Sequence, residues 1–217
     1  PNGYPDKDCK AIAERLKKEF SEAKYIDISG LLSADDFYYT DSHWRQERIL
    51  KVADEIADKM GAERIGQCEK RDAGVSFYGV YYGQAALPHA PERLFYLDNA
   101  VIRELKVYNV ETSSDIPVYD LGAAAGRDPY EMFIGGARSI IRITNPNAEK
   151  ERRLIVFRDS FGSSIAPLLT AGYSEITLVD IRYIAPSALG RLIDFTKADD
   201  ALFLYSASVI NNSGTIK

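Results

Sequence analysis

Leu154-Ile155-Val156-Phe157-Arg158-Asp159-Ser160-Phe161-Gly162-Ser163-Ser164 is a short apolar run that stops at Asp-Ser and gives way to glycine and serine, as a strand does where it turns into a helix. Two further apolar runs follow, Ile176 to Ile181 and Ala201 to Tyr205, with helix-like segments between them at Ser164 to Ala171 and Ser187 to Thr196. Strand, helix, strand, helix, strand at this spacing predicts right-handed crossovers and a parallel sheet covered on both faces. Pro167 is compatible with the first helix when Ser164 is its N-cap, because the first turn has no intrahelical bond for a proline to remove. The expected class is α/β with a mostly parallel central sheet.

Open parallel sheets hold their ligands beyond the carboxyl ends of the strands, which is where Ser160 falls. A helix N-terminus there would favour negative charge developing on an oxyanion. The plainer reading is that Asp159-Ser160 is a helix-capping turn, a role both residue types favour. A serine hydroxyl becomes a nucleophile when a neutral imidazole takes its proton and a second acceptor fixes that imidazole's tautomer. Phe37-Tyr38-Tyr39-Thr40-Asp41-Ser42-His43-Trp44 contains one of two histidines and the one tryptophan, with Asp41 two residues before His43. Residues i and i+2 of an extended segment project to the same side, so Asp41 could be that acceptor. The competing reading is a loop histidine beside a packing tryptophan. His89, in Leu87-Pro88-His89-Ala90-Pro91, has no such neighbour and reads as a loop residue.

At 217 residues the chain is long enough for one large domain, and 46% hydrophobic with 27% charged residues is the composition of an ordinary globular protein. A net charge of -5 argues against nucleic acid or an anionic membrane surface as partner. No apolar run approaches the roughly 20 residues of a membrane helix. Cys9 and Cys68 could form one disulfide or none, and with the two histidines they offer no zinc-ligand spacing. No phosphate- or dinucleotide-binding glycine loop follows a strand. The chain begins Pro1-Asn2-Gly3 without a methionine, and the expectation is that an upstream segment, such as a signal or anchor, has been removed.

Ile12, Leu16 and Phe20 at helical spacing predict an amphipathic helix over Asp8 to Lys24, and Ile49, Val52, Ile56 and Met60 predict a second over Arg45 to Met60, terminated by Gly61. Tyr25 to Ile28 reads as a short strand, as do Glu104 to Val110 and Ser139 to Thr144. Between Ile65 and Val110 aromatic and β-branched residues punctuated by glycine and proline predict short strands and loops. Phe77, Tyr78, Tyr81 and Tyr82 could form an aromatic surface for a sugar, or simply pack as core.

Several stretches together resemble the bacterial DHHW family in order and spacing. They are Tyr38-Tyr39-Thr40-Asp41-Ser42-His43-Trp44, Asp128-Pro129-Tyr130-Glu131-Met132-Phe133-Ile134-Gly135-Gly136, Arg158-Asp159-Ser160-Phe161, Tyr173-Ser174-Glu175-Ile176 and Val179-Asp180-Ile181-Arg182-Tyr183. The resemblance extends to SGNH hydrolases, and especially to alginate O-acetyltransferases, where an Asp-x-His motif precedes the serine. It implies one three-layer, flavodoxin-like SGNH-type domain over 1–217, with a strand- and loop-rich insertion at about 65–137. It further implies a serine esterase or acyltransferase acting on O-acetyl groups of a cell-envelope or exported polysaccharide. Carried over by position, Ser160 is the nucleophile, His43 the base and Asp41 its orienting acid, with Ser42 on the variable position. SGNH enzymes complete an oxyanion hole with a glycine after the second strand and an asparagine after the third. Here those places hold Arg182-Tyr183 and Ser206-Ala207-Ser208, so Arg182 and Tyr183 are candidates for the oxyanion or the substrate. Arg182 could equally pair with Asp180 or Asp159. The resemblance implies a carbohydrate or acetyl-ester substrate, no metal or organic cofactor and a bacterial envelope or extracellular address. The alternative is a carbohydrate-binding or envelope-assembly protein that keeps the fold without the chemistry.

Overall fold

The structure, a computed structural model, describes residues 8–85 and 89–212. Pro1 to Gly3, and Leu87 and Pro88 of the proline-rich loop, lie outside the described residues. Helix α1 (Cys9–Glu19) is capped by the Asp8 carboxylate, and α2 (Leu50–Met60) is ended by Gly61 at φ +64°, a left-handed conformation glycine adopts without cost. Then come β1 (Glu69–Phe77), α3 (Val80–Ala85), β2 (Glu92–Asp98), α4 (Ala100–Glu104), β3 (Lys106–Asn109), β4 (Ser114–Ile116) and α5 (Leu121–Ala124). The last part holds β5 (Ile140–Thr144), β6 (Arg153–Arg158), α6 (Ser160–Ile165), β7 (Glu175–Val179), α7 (Pro186–Leu189), β8 (Asp200–Leu204) and α8 (Ala207–Asn211).

Strands β3 to β8 form one six-stranded sheet in the order β4-β3-β5-β7-β6-β8, while β1 and β2 form a separate antiparallel pair. The parallel part is confined to β6 with β7 and β6 with β8; β3 with β4, β3 with β5 and β5 with β7 are antiparallel. This corrects the expected mostly parallel sheet: the sheet is mixed, with antiparallel pairs in the majority. The cause lies in the connections. A parallel crossover needs a dozen or more residues, whereas residues 145–152 between β5 and β6 are too few to lay a helix across the sheet. Strand β5 therefore lies outside β7, with Asn145 N–H bonded to the Ser174 carbonyl at their shared end.

Alternation along the strands separates two faces. Leu154 and Val156 of β6, Ile176 and Leu178 of β7, and Ile141 and Ile143 of β5 enter the main core with α2, Ile165, Leu168 and Leu169. Ile155, Val179 and Ile140 face the other way, onto Leu189 and Ile193. A third cluster, Tyr38, Phe77, Leu94, Tyr130, Met132 and Phe133, joins the β1–β2 pair to the loops around the sheet's carboxyl end.

Four local expectations need correction. Tyr25 to Ile28 forms no strand; Asp27 instead accepts from the Ser29 amide and hydroxyl, turning the chain. The amphipathic helix α1 is shorter than its pattern and buries none of its residues. The helix after β6 starts at Ser160, capped by Asp159, with Pro167 in the 3-10 stretch Ala166–Gly172 that continues it. Ser187 to Thr196 is one turn of helix, α7, and a 3-10 turn at Phe195–Lys197. Cys9 and Cys68 are free thiols. Among the described residues no helix is long and apolar enough to cross a membrane.

Candidate active site

Strand β6 ends at Arg158, and the Asp159 carboxylate turns the chain by accepting from Phe161 N–H at 3.0 Å and Ser206 N–H at 2.8 Å. That second bond ties the start of α6 to the end of β8. Ser160 is the first residue of α6, where the helix has no acceptor of its own for the amide. The capping turn of the plainer reading is present, with Asp159 as the cap and Ser160 directly after it.

His43 meets Ser160 from the other half of the chain, with Nε2 2.7 Å from Ser160 Oγ and Nδ1 2.5 Å from Asp41 Oδ1. The carboxylate only accepts, so Nδ1 carries the proton and Nε2 is left to accept from the serine hydroxyl. The 37–44 loop that brings His43 there folds back on itself through a Phe37–Trp44 bridge and Tyr38 N–H to the His43 carbonyl. Tyr130 lies flat on the imidazole, ring centroids 3.9 Å apart and planes 15° apart, and Phe161 tilts against it at 5.2 Å.

Asp41 is buried and saturated with donors: Oδ1 accepts from the His43 amide at 3.0 Å as well as from its ring, and Oδ2 from Val80 N–H at 3.0 Å. Burial pushes its pKa up, but the hydrogen bonds from the His43 ring and from the Val80 and His43 amides help hold the carboxyl below its ordinary value. Thr40, the residue before, is fixed by Glu92 of β2. The Glu92 carboxylate accepts from Thr40 N–H and Oγ1–H and pairs with Arg45. Thr40 Oγ1 in turn accepts from Gly79 N–H at 3.0 Å.

Gly79 is the contact that lets α3 reach this loop. A Cβ there would stand 2.1 Å from the Thr40 carbonyl oxygen and 2.4 Å from Asp41 Cβ, and neither can swing aside. Gly79→Ala is expected to force the two segments apart, part Val80 N–H from Asp41, and cost about 1–3 kcal/mol in overpacking. Melting curves check this, and an unchanged melting temperature would show that the contact positions nothing.

Behind the serine the hydroxyl of Ser164 joins three elements. It accepts from Trp44 Nε1–H and Tyr130 O–H, both at 2.7 Å, and donates to the Phe161 carbonyl. Burial pushes the Tyr130 phenol's pKa up, so it stays a donor. Tyr130 was missed as a site residue by the reading of residue types; its signal lay in the Asp128-Pro129-Tyr130 turn, in which Asp128 accepts from Tyr130 N–H.

Beneath Ser160 lies a buried charge cluster. Arg158, fully enclosed at 0% exposure, donates to Ser163 Oγ at 3.0 Å and to the Gly136 and Arg138 carbonyls at 3.4 Å, and lies 3.7 Å from Asp180. Arg182 grips the same Asp180 through Nε and a terminal nitrogen at 2.9 and 2.6 Å. Arg182 thus takes the structural pairing anticipated for it, while still lining, with Tyr183, a cleft of about 190 Å³ that also contains His43, Ser160, Asp128, Glu131 and Gly136. The cleft wall at Ile134-Gly135-Gly136 has φ of +50°, +65° and +68° in succession. For a β-branched residue such as Ile134 this strain is of order 1–3 kcal/mol, offset by complete burial in the core. Among the described residues no three His, Cys, Asp or Glu side chains gather as a metal site.

No protein-family model and no curated protein sequence matches the chain. Solved structures do. A DHHW family protein from Eubacterium siraeum superposes with a TM-score of 0.72 at 18% identity, over 100% of this chain and 74% of that one. PatB1 of Bacillus cereus with a sulfonyl adduct gives 0.63 at 21% identity, over 81% of this chain and 62% of that one. A second structure of Bacillus cereus PatB1 gives 0.59 at 18% identity, over 90% of this chain and 68% of that one. At such identities the likeness is one of fold.

Proposed function

We propose that the protein is a serine esterase or acyltransferase that removes or moves O-acetyl groups on a cell-envelope or exported polysaccharide. The observation that carries the reading is the single imidazole bonded at once to Asp41 and to Ser160, with Ser160 at a helix N-terminus. Ser160 Oγ attacks the acetyl carbonyl as its proton passes to His43 Nε2; the tetrahedral oxyanion draws on the Ser160 amide, since those of Phe161 and Gly162 are spent on Asp159. His43 then gives its proton to the departing sugar oxygen. Water or a second sugar hydroxyl resolves the acetyl-enzyme by the same route. On this reading the chain is one three-layer SGNH-type domain related to the alginate O-acetyltransferases, with the segment at about 65–137 as its insertion, working in a bacterial envelope or outside the cell.

A sulfonyl adduct of the kind named for PatB1 forms when a nucleophile attacks a sulfonyl electrophile. Phenylmethylsulfonyl fluoride should therefore add one sulfonyl group to the wild type at Ser160 and none to Ser160→Ala, with loss of p-nitrophenyl acetate turnover in both cases. Intact-mass spectrometry and peptide mapping read the first, absorbance the second. Equal labelling and equal turnover would leave the alternative, a carbohydrate-binding protein without the chemistry, which the commitment of Arg182 to Asp180 favours.

A further inference from the structure

Strand β1, the Tyr78-Gly79 link and helix α3 divide their aromatic residues between two fates. Phe77 is enclosed in the core at 1% exposure, but Tyr78 and Tyr81 are each 45% exposed and Val80 between them 52%. Tyr78 and Tyr82 rings touch at 4.7 Å, so the surface is a braced one. Nothing in the described residues covers it. A helix of only six residues is marginal by itself. Its place is set by three successive backbone amides that donate to the loop holding the candidate acid: Gly79 N–H to Thr40 Oγ1, Val80 N–H to Asp41 Oδ2 and Tyr81 N–H to the Thr40 carbonyl. The exposed aromatics are thereby anchored to the same short segment that orients His43.

We infer that Tyr78 and Tyr81 offer stacking faces for a pyranose ring of the glycan chain, on the segment that is bonded to Thr40 and Asp41; the inference rests on the function proposed above. The occupant follows from size and charge. Aromatic side chains bury about 150–250 Å² each, so two half-exposed tyrosines offer roughly 200 Å², against about 800 Å² a side for a stable protein partner. One or two sugar rings fit that area. Nucleobases also stack on tyrosine, but they bring phosphates, and α3 carries no cation while the chain as a whole has a net charge of -5. A membrane-seated helix would carry lysine or arginine on its polar face, and this one carries none. Tyrosine suits a sugar: its ring face meets the axial C–H groups and its hydroxyl remains free to bond a neighbouring O–H.

The test compares a short and a long substrate. Tyr78→Ser/Tyr81→Ser is expected to lower kcat/KM on a chemically O-acetylated hexamer of β-1,4-linked N-acetylglucosamine at least tenfold more than on p-nitrophenyl acetate, mainly through KM. Tyr81→Trp should keep the hexamer rate. In parallel, calorimetric titration of the unacetylated hexamer into Ser160→Ala protein should show binding that the added double substitution weakens tenfold or more. Equal losses on both substrates, no hexamer binding, or binding indifferent to the two tyrosines would overturn the platform. So would tyrosine-dependent binding to phosphatidylcholine vesicles in place of the hexamer. Should Ser160→Ala retain full ester turnover, the hydrolytic reading falls while the titration still decides the platform.

Discussion

Asp41→Asn is expected to lower kcat on p-nitrophenyl acetate by about 10³–10⁴-fold while leaving a folded protein. Every group facing the Asp41 carboxylate is a donor: the His43 amide and Nδ1–H on one oxygen, Val80 N–H on the other. A carboxylate satisfies all of them. An asparagine must turn its NH₂ either toward Val80 N–H, donor against donor, or toward His43, where it stabilises the tautomer with hydrogen on Nε2. That imidazole would donate to Ser160 and could not take its proton. The stability profile should change in step. With its folded-state pKa depressed, the Asp41 carboxylate stabilises the fold at pH above the unfolded-chain value of about 3.9, and this contribution disappears as pH falls through the lower folded value. Asp41→Asn should lack that part of the acid limb in urea titrations run between neutral and strongly acidic pH. Retention of more than a tenth of wild-type turnover would remove Asp41 from the role of orienting acid.

Arg158→Met is expected to cost about 3–5 kcal/mol of stability, the range for removing one partner of a buried charge cluster. Burial pushes the guanidinium's pKa down and Asp180 draws it back up. Its terminal nitrogens hold together the cleft wall at Gly136 and Arg138, Ser163 on α6 and Asp180 at the end of β7. Methionine would leave those acceptors buried, and Asp180 with Arg182 alone. Gly162 exists at its position because a Cβ there would stand 2.5 Å from Arg158 Cβ, so chain and side chain are fitted to each other. Arg158→Lys should recover less than half of the loss, since a point charge cannot span the acceptors that a fork spans. Urea midpoints and slopes measure both variants; a loss under about 1 kcal/mol for Arg158→Met would mean that the cluster is ornamental to folding.

The parts of this fold that could be read in advance are those written in contiguous residues. The run through Ser160 specified a strand and a turn into a helix, though it put the helix start at Ser164 instead of Ser160, and the three parallel strands β6, β7 and β8 followed from spacing alone. The partners of β5 could not be read this way. Ile140 and Ile141 are buried on opposite faces, so its pattern names no partner, and its pairing with β7 joins residues 29 or more apart in the chain, as in Asn145 N–H to the Ser174 carbonyl. Ser164 looked like a helix cap because serine favours that place, yet its hydroxyl is taken by Trp44 and Tyr130, groups with no local trace in the 160s. The Asp41–His43 spacing was legible because two residues carry it. The Glu92–Thr40–Gly79 support was not, since each member is a common residue whose meaning arises only from contact.

Trp44, the one tryptophan of the chain, is buried with its indole N–H on Ser164, a single turn along the helix that Ser160 begins, and with the Phe161 ring edge-on at 5.1 Å. Emission excited beyond the tyrosine band therefore comes from one fluorophore, placed where the two halves of the site join. The protein carries a built-in optical gauge: separation of the 37–44 loop from α6 changes the colour of its emitted light before any product is measured.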